Sequence, residues 1–241
     1  MSITRSTTDT RRQPRVAKHD GGLVVMVQAR LGSERLPGKV LFALPGGSVL
    51  EHCLRSLRLV RAQRFVVVTE PRSASSLGAI AEHEGFELFV GSEADVLGRF
   101  ADAVSWTGAD TIVRATADAP LVSAPLTERI VRFHHRKRAD LSHYLGMPLG
   151  TGVEVIAGRA LHTAANSASD PFEREHITQH FYRNPNRFRV VEAPCPRPVR
   201  DTTHVTIDDD ASYALVQRIF AALYRGQPIA ARALVRWLRA S

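Results

Sequence analysis

From residue 23 onward the chain alternates short apolar runs with stretches of helical period. LVVMV (23–27), FVVVT (65–69), ELFVG (87–91) and TIVRAT (111–116) have strand length and strand character. Between and after them, VLEHCLRSLRLV (49–60), SLGAIAEHEG (76–85), DVLGRFADAVSW (95–106) and APLTERIVRFHH (124–135) repeat apolar residues at three- and four-residue spacing. Strands written as continuous apolar runs are buried on both faces, and alternation this regular predicts right-handed βαβ units. The expected fold class is α/β: a doubly wound, mostly parallel sheet with helices on both faces. The first helix has a readable start, since Ser48 and Glu51 stand in capping-box spacing and Leu50, Leu54 and Leu57 mark its buried stripe.

After residue 140 the alternation loosens. Strands are expected at GVEVI (152–156), FRVVEA (188–193) and HVTI (204–207), with helices near 158–167, 172–183 and 211–224. The tail ARALVRWLR (231–239) sets Leu234, Val235 and Leu238 on one face and three arginines on the other, the pattern of a docked surface helix. His134 and His135 read as exposed residues at a helix end. No repeat or long linker interrupts the pattern, so residues 21–241 are expected to form one domain behind a disordered basic tail, residues 1–20.

Charge changes the picture less than its total suggests. The net charge is +8, but residues 1–20 contribute +3 and residues 218–241 contribute +5, leaving the intervening 197 residues balanced. Basic ends without interleaved aromatic platforms argue against nucleic acid as a partner. Residues 1–20 lack the apolar core of a signal peptide, and no stretch approaches the roughly 20 apolar residues of a membrane span, so a soluble, cytoplasmic chain without membrane insertion is expected. The two cysteines, Cys53 and Cys195, fit a reducing compartment and have no neighbours spaced for zinc.

The chemistry begins where the first strand ends. VVMVQARLGSERLPGKVL (24–41) passes from a buried strand into a loop holding Gly32, Gly38 and the cations Arg30, Arg35 and Lys39. In a doubly wound sheet ligands bind beyond the carboxyl ends of the strands, where this loop must lie. The Walker spacing fails, because five residues separate Gly32 from Gly38 and Val40 replaces the hydroxyl; G-x-G-x-x-G does not occur at this strand end. Three cations beside exposed backbone N–H groups, those around Gly32, Ser33 and Gly38, suit a polyphosphate, and a nucleoside triphosphate is the natural guest.

The order of these residues, Q-A-R-L-G-S-E-R-L-P-G-K-V-L, closely resembles the N-terminal signature of the cytidylyltransferase-like nucleotidyltransferases, the group of the CMP-KDO and CMP-sialate synthetases, and most closely its SpsF branch. VGSEADVLGRFADA (90–103), VRATADAPL (113–121), FEREHITQHFYRNPNRF (172–188) and THVTIDDDASYALVQRIF (203–220) resemble further family segments in the same order. The resemblance implies a Rossmann-like nucleotidyltransferase fold and transfer of CMP from CTP to a sugar, sugar acid, phosphosugar or phosphonate, with release of pyrophosphate, for surface polysaccharide or related glycoconjugate synthesis. It implies Mg²⁺ or Mn²⁺ held by Asp118 and Asp208, and it selects Asp208 from three successive aspartates that all precede a helix. Lys39, Arg30 and Arg35 become the candidate catalytic cations, and Gln28, Ala29, Arg30, Leu31, Gly32, Ser33, Lys39, Arg114 and Thr116 the candidate nucleotide contacts. Arg114 has two readings, orienting the nucleotide or forming a plain salt bridge. Glu154, Arg174, Glu175 and His176 are expected to hold a small anionic acceptor, and Gly152 stands where the family often has an aspartate. A homodimer is the assembly such a resemblance suggests. His176 and His180 share the i, i+4 spacing of zinc ligands but lack a third. The competing reading is a GT-A-type glycosyltransferase using a nucleotide-sugar donor, whose D-x-D metal motif Asp208, Asp209 and Asp210 imitate; a catalytically silent nucleotide-binding module is a third.

Overall fold

The buried strand opening the sequence pattern is β1 (Leu23–Gln28), whose Val24 to Val27 are sealed on both faces in a computed structural model that describes residues 22–240. The chain then makes a 3-10 turn at Lys39–Leu41, a small hairpin of β2 (Ala43–Leu44) and β3 (Gly47–Ser48), and α1 (Val49–Leu57). Both halves of the capping box at Ser48 and Glu51 form, and Leu50, Leu54 and Leu57 are buried. Next come β4 (Arg64–Thr69), α2 (Pro71–His83), β5 (Glu87–Val90), α3 (Val96–Thr107), β6 (Thr111–Thr116) and α4 (Ala124–Lys137). The second half supplies β7 (Leu141–Leu145), β8 (Glu154–Ala157), α5 (Gly158–Ser167), α6 (Pro171–Glu175), α7 (Gln179–Arg183), β9 (Val190–Pro194), α8 (Asp210–Leu223) and α9 (Ala231–Leu238).

Seven strands form the main sheet in the order β5-β4-β1-β6-β8-β7-β9, parallel throughout except for β8. Because strand residues alternate between faces, Val25 and Val27 pack with α1, α2 and α4, whereas Val24 and Met26 pack with α3 and α5. A third cluster joins Leu36, Val205, Ile207, Val216 and Leu234, seating α8 and α9 against the loop that follows β1. The chain builds outward from β1 to β5, then crosses back to β6 on the other side of β1. That reversal is a topological switch point, and the carboxyl ends Gln28 and Thr116 lie there in register.

Four expectations are corrected. LSHYL (141–145) forms a strand paired on both sides, with β8 and β9, that its polar residues concealed. Residues 204–207 run extended but make only the isolated bridge of His204 to Leu149. The helix expected over 172–183 is broken: His176 leaves helical geometry at φ −105° and ψ 86°, and Ile177 turns into the core, leaving α6 and α7. His134 is buried, its Nδ1 3.1 Å from the Ser142 hydroxyl, while His135 is exposed. The basic tail expected over residues 1–20 lies outside the described residues. No helix among the described residues is long and apolar enough to cross a membrane.

Burial, reinforced by the neighbouring His135, lowers the His134 pKa from its ordinary 6.5 to about 4. The unfolded chain therefore takes up a proton between those values that the folded chain refuses, so this group's contribution to stability is full above pH 6.5 and is lost as pH falls toward 4. His134→Gln is expected to flatten the decline of the urea midpoint across that window; an unchanged slope would assign the decline to other groups.

Candidate active site

The candidate site is set by how the chain leaves β1 and β6. After β1, the Ala29 amide donates to Val68 O, and Leu31 anchors the loop: its amide donates to Ser73 Oγ at 2.8 Å and its carbonyl accepts from Ser33 and Gly38, each at 2.9 Å. Gly38 then takes a left-handed φ of 70°, which non-glycine residues rarely adopt, and turns Lys39 inward. On the other side, Ala117 N donates to Gln28 O, fixing the chain that carries Asp118. The Ile207 amide donates to Asp118 O at 3.0 Å, which brings the distant Asp208 alongside.

Three charges meet as a result. Lys39 Nζ lies 2.6 Å from Asp118 Oδ2, 2.9 Å from Asp208 Oδ1 and 2.5 Å from the Ile207 carbonyl oxygen, with only 11 % of its side chain exposed. Arg35 approaches Asp208 at 3.8 Å, and Arg30 lies 3.8 Å from Glu175. These groups line a cleft of about 510 Å³ together with Gln28, Ser33, Thr116 and His176. Burial of Lys39 is tolerated because its three donors find three acceptors.

Several candidate residues lie elsewhere. Ala29 is buried beneath the strand end, and Leu31 acts through its backbone. The Ser33 and Gly38 amides, expected to face phosphate, close the loop on Leu31 instead; Gly32 is exposed with open space around it. Arg114 and Glu154 stand directly opposite each other on antiparallel β6 and β8 and form an ion pair at 2.8 Å, the plain salt-bridge reading of Arg114. A second guanidinium nitrogen donates to Gln28 Oε1 at 2.6 Å, and Thr178 Oγ1 donates to the other Glu154 oxygen at 2.9 Å.

Arg174 does not line the cleft. Its guanidinium is shared between the Asp95 carboxylate and the carbonyls of Ala165 and Ala168, tying α6 to α3. Burial alone would raise the Asp95 pKa, but Arg174 and the Gly98 amide hold it below the usual carboxylate range. Asp209 is spent as the N-cap of α8, where the Ser212 hydroxyl and amide lower its pKa, and Asp210 is exposed; only Asp208 of the three lines the cleft, so no D-x-D pair points inward. His180 is buried against Glu173 at 2.6 Å and Ser167 at 2.9 Å, so it shares no site with exposed His176. Cys53 and Cys195 are free and buried, and burial pushes both thiol pKa values up.

The residues present fit a hard divalent cation that shares its ligation with phosphate. Asp118 Oδ1 is buried with no hydrogen-bond partner, and Asp208 faces it across Lys39. Among the described residues no group of three His, Cys, Asp or Glu could enclose a metal alone, so phosphate and water oxygens would complete the shell.

A second cavity of about 250 Å³ adjoins the cleft at Thr116, which lines both. His143 and Tyr144 on β7 and Thr206 help line it. The sequence hid all three, because β7 shows no apolar run and Thr206, though inside the T-H-V-T-I-D-D-D stretch, stands beside the aspartates that draw attention there; a T-G-V-E stretch feeding β8 was the available hint.

The profile of a family described as "Cytidylyltransferase" matches residues 24–226. The spore coat polysaccharide biosynthesis protein SpsF of Bacillus subtilis is 28% identical over 224 residues, 90% of this chain and 93% of that one. A 3-deoxy-manno-octulosonate cytidylyltransferase of Aeromonas hydrophila is 28% identical over 183 residues, 67% of this chain and 72% of its own. The solved structure of a cytidylyltransferase from Leptospira borgpetersenii has the same fold, with a TM-score of 0.85 at 24% identity, covering 92% of this chain and 95% of that chain.

Proposed function

The chain belongs to the cytidylyltransferase family, and from that premise we propose that it transfers CMP from CTP to an oxygen of a small acceptor, releasing pyrophosphate, to make an activated precursor of a surface polysaccharide or related glycoconjugate. The observation that carries the reading is the Lys39 ammonium set between Asp118 and Asp208 at the switch point, with Arg30 and Arg35 at the mouth of the same cleft. In such a transfer the acceptor oxygen bonds to the α-phosphorus as the bond to pyrophosphate breaks, so the protein's work is positioning and charge stabilisation.

Arg30, Arg35 and Lys39 bring three positive charges to a triphosphate and to the charge that grows on departing pyrophosphate. The loop holding them is preorganised by the Leu31 anchor, so little backbone ordering remains when nucleotide binds. Asp118 and Asp208 would hold Mg²⁺ or Mn²⁺, whose chemistry is to neutralise the phosphate oxygens. Gln28 and Arg114 define the wall between the nucleotide cleft and the second cavity, which receives the acceptor. A donor already shortened to a nucleotide sugar has less need of three clamping cations, and the capping role of Asp209 removes the main support for a glycosyltransferase.

The test is pyrophosphate release with each of the four ribonucleoside triphosphates, Mg²⁺ and a panel of sugars, sugar acids, phosphosugars and phosphonates. CTP is expected to be the preferred donor. Release with no combination, or tight binding of a nucleotide sugar with none of CTP, would overturn the reading.

A further inference from the structure

We infer that the acceptor presents an uncharged, hydroxyl-bearing body to the second cavity, and that Glu154 enforces this selection by keeping Arg114 neutralised. The inference rests on the proposed cytidylyl transfer and narrows its acceptor.

Among the described residues, the cavity lining contains one obligate cation, Arg114, and one carboxylate, Glu154. They are matched: strand register puts them face to face, and their 2.8 Å contact leaves neither charge open. Gln28 takes a further Arg114 donor, and Thr178 occupies the other Glu154 oxygen. The rest of the wall mixes apolar Met147, Leu149 and Val153 with the imidazole of His143 and the hydroxyl-bearing Tyr144, Thr116 and Thr206. Arg114 Nε is buried without a hydrogen-bond partner. The adjoining cleft differs sharply, because Arg30, Arg35 and Lys39 gather there for phosphate.

A carboxylate entering the second cavity would lose water, find the obligate cation Arg114 already engaged and approach Glu154. A polyol would lose less and keep its hydrogen bonds. The attacking oxygen itself sits at the α-phosphate, within reach of the other cleft, so it can belong to a free hydroxyl or to a phosphomonoester on the same uncharged body. In either case the new bond joins that oxygen to the α-phosphorus and the bond to pyrophosphate breaks; a hydroxyl releases its proton to solvent, and a phosphate dianion has none to release.

Erythritol and erythronate form a matched neutral and carboxylate pair, and their 4-phosphates separate the two sources of attacking oxygen. Binding is measured by calorimetry to enzyme loaded with Mg²⁺ and α,β-methylene-CTP, and turnover by pyrophosphate release with CTP. Wild type is expected to favour the neutral member of each pair by at least about tenfold. Glu154→Gln frees Arg114 and is expected to gain carboxylate binding by about the same factor, while the double variant Arg114→Met/Glu154→Gln returns to neutral preference. Carboxylates bound as well as neutral probes by wild type, or no carboxylate gain in E154Q, would overturn the inference. Loss of CTP binding or of turnover with every acceptor would instead strike the proposed transfer, so the two failures are distinguishable.

Discussion

Lys39→Met is expected to lower CTP-dependent pyrophosphate release by about 10²- to 10³-fold, the usual effect of removing a preorganised charge at a phosphoryl site. The same change is expected to raise, not lower, affinity for Mn²⁺ in the absence of nucleotide. The reason is geometric: the ammonium sits between Asp118 and Asp208 at 2.6 and 2.9 Å and is itself buried, so it occupies the ground between the two carboxylates that a divalent cation would need. Methionine keeps the length and apolar packing of the stem while leaving both carboxylates without their cation. Manganese binding read by electron paramagnetic resonance would show a gain of about tenfold if the two positive charges compete for the same oxygens. Equal manganese affinity in K39M and wild type would mean that Lys39 does not occupy the metal's place. Unchanged turnover would remove it from the transfer step.

The first half of the fold was legible because its central strands β1 and β4 are buried on both faces and so carry a nearly continuous apolar signal. The capping box at Ser48 and Glu51 likewise depends on neighbours three residues apart. The cleft was legible as a set of residues, since Arg30, Arg35 and Lys39 follow one strand, and Asp118 and Asp208, which follow two apolar extended segments, line the same cleft. What the pattern hid were facts decided by tertiary contact. β7 lies between β8 and β9, yet His143 and Tyr144, which line a cavity, break its apolar run. Arg174 matches a motif by type, but its partner Asp95 stands 79 positions away in sequence, and only packing of α6 on α3 reveals the bond. His134 gives no sign of burial in its local sequence, since its helix ends in a basic cluster; its partner Ser142 lies on the following strand. The antiparallel insertion of β8 is the most consequential omission, for it sets Glu154 opposite Arg114 and decides the charge of the second cavity.

Asp118→Asn is expected to reduce turnover by about 10³-fold or more, and Asp208→Asn by less, although a two-carboxylate metal site seen in sequence alone makes the pair look equivalent. Their surroundings separate them. Asp118 is 19 % exposed, meets Lys39 at 2.6 Å and keeps a buried oxygen with no hydrogen bond, whereas Asp208 is 39 % exposed and shares its charge between Lys39 and Arg35. A carboxylate withdrawn from water acts with less dielectric screening, so losing its charge weakens the hold on both the ammonium and a metal more severely. Asparagine preserves side-chain shape and leaves the Ile207 amide bonded to the residue-118 carbonyl, so the segment carrying Asp208 should stay in place. Thermal midpoints for both variants within a few degrees of wild type would confirm that chemistry, not folding, was altered. The deciding measurements are pyrophosphate release and manganese affinity with CTP bound. D118N retaining turnover within about tenfold of wild type, or falling no further than D208N, would show that the buried oxygen of Asp118 is not where the catalytic charge is concentrated.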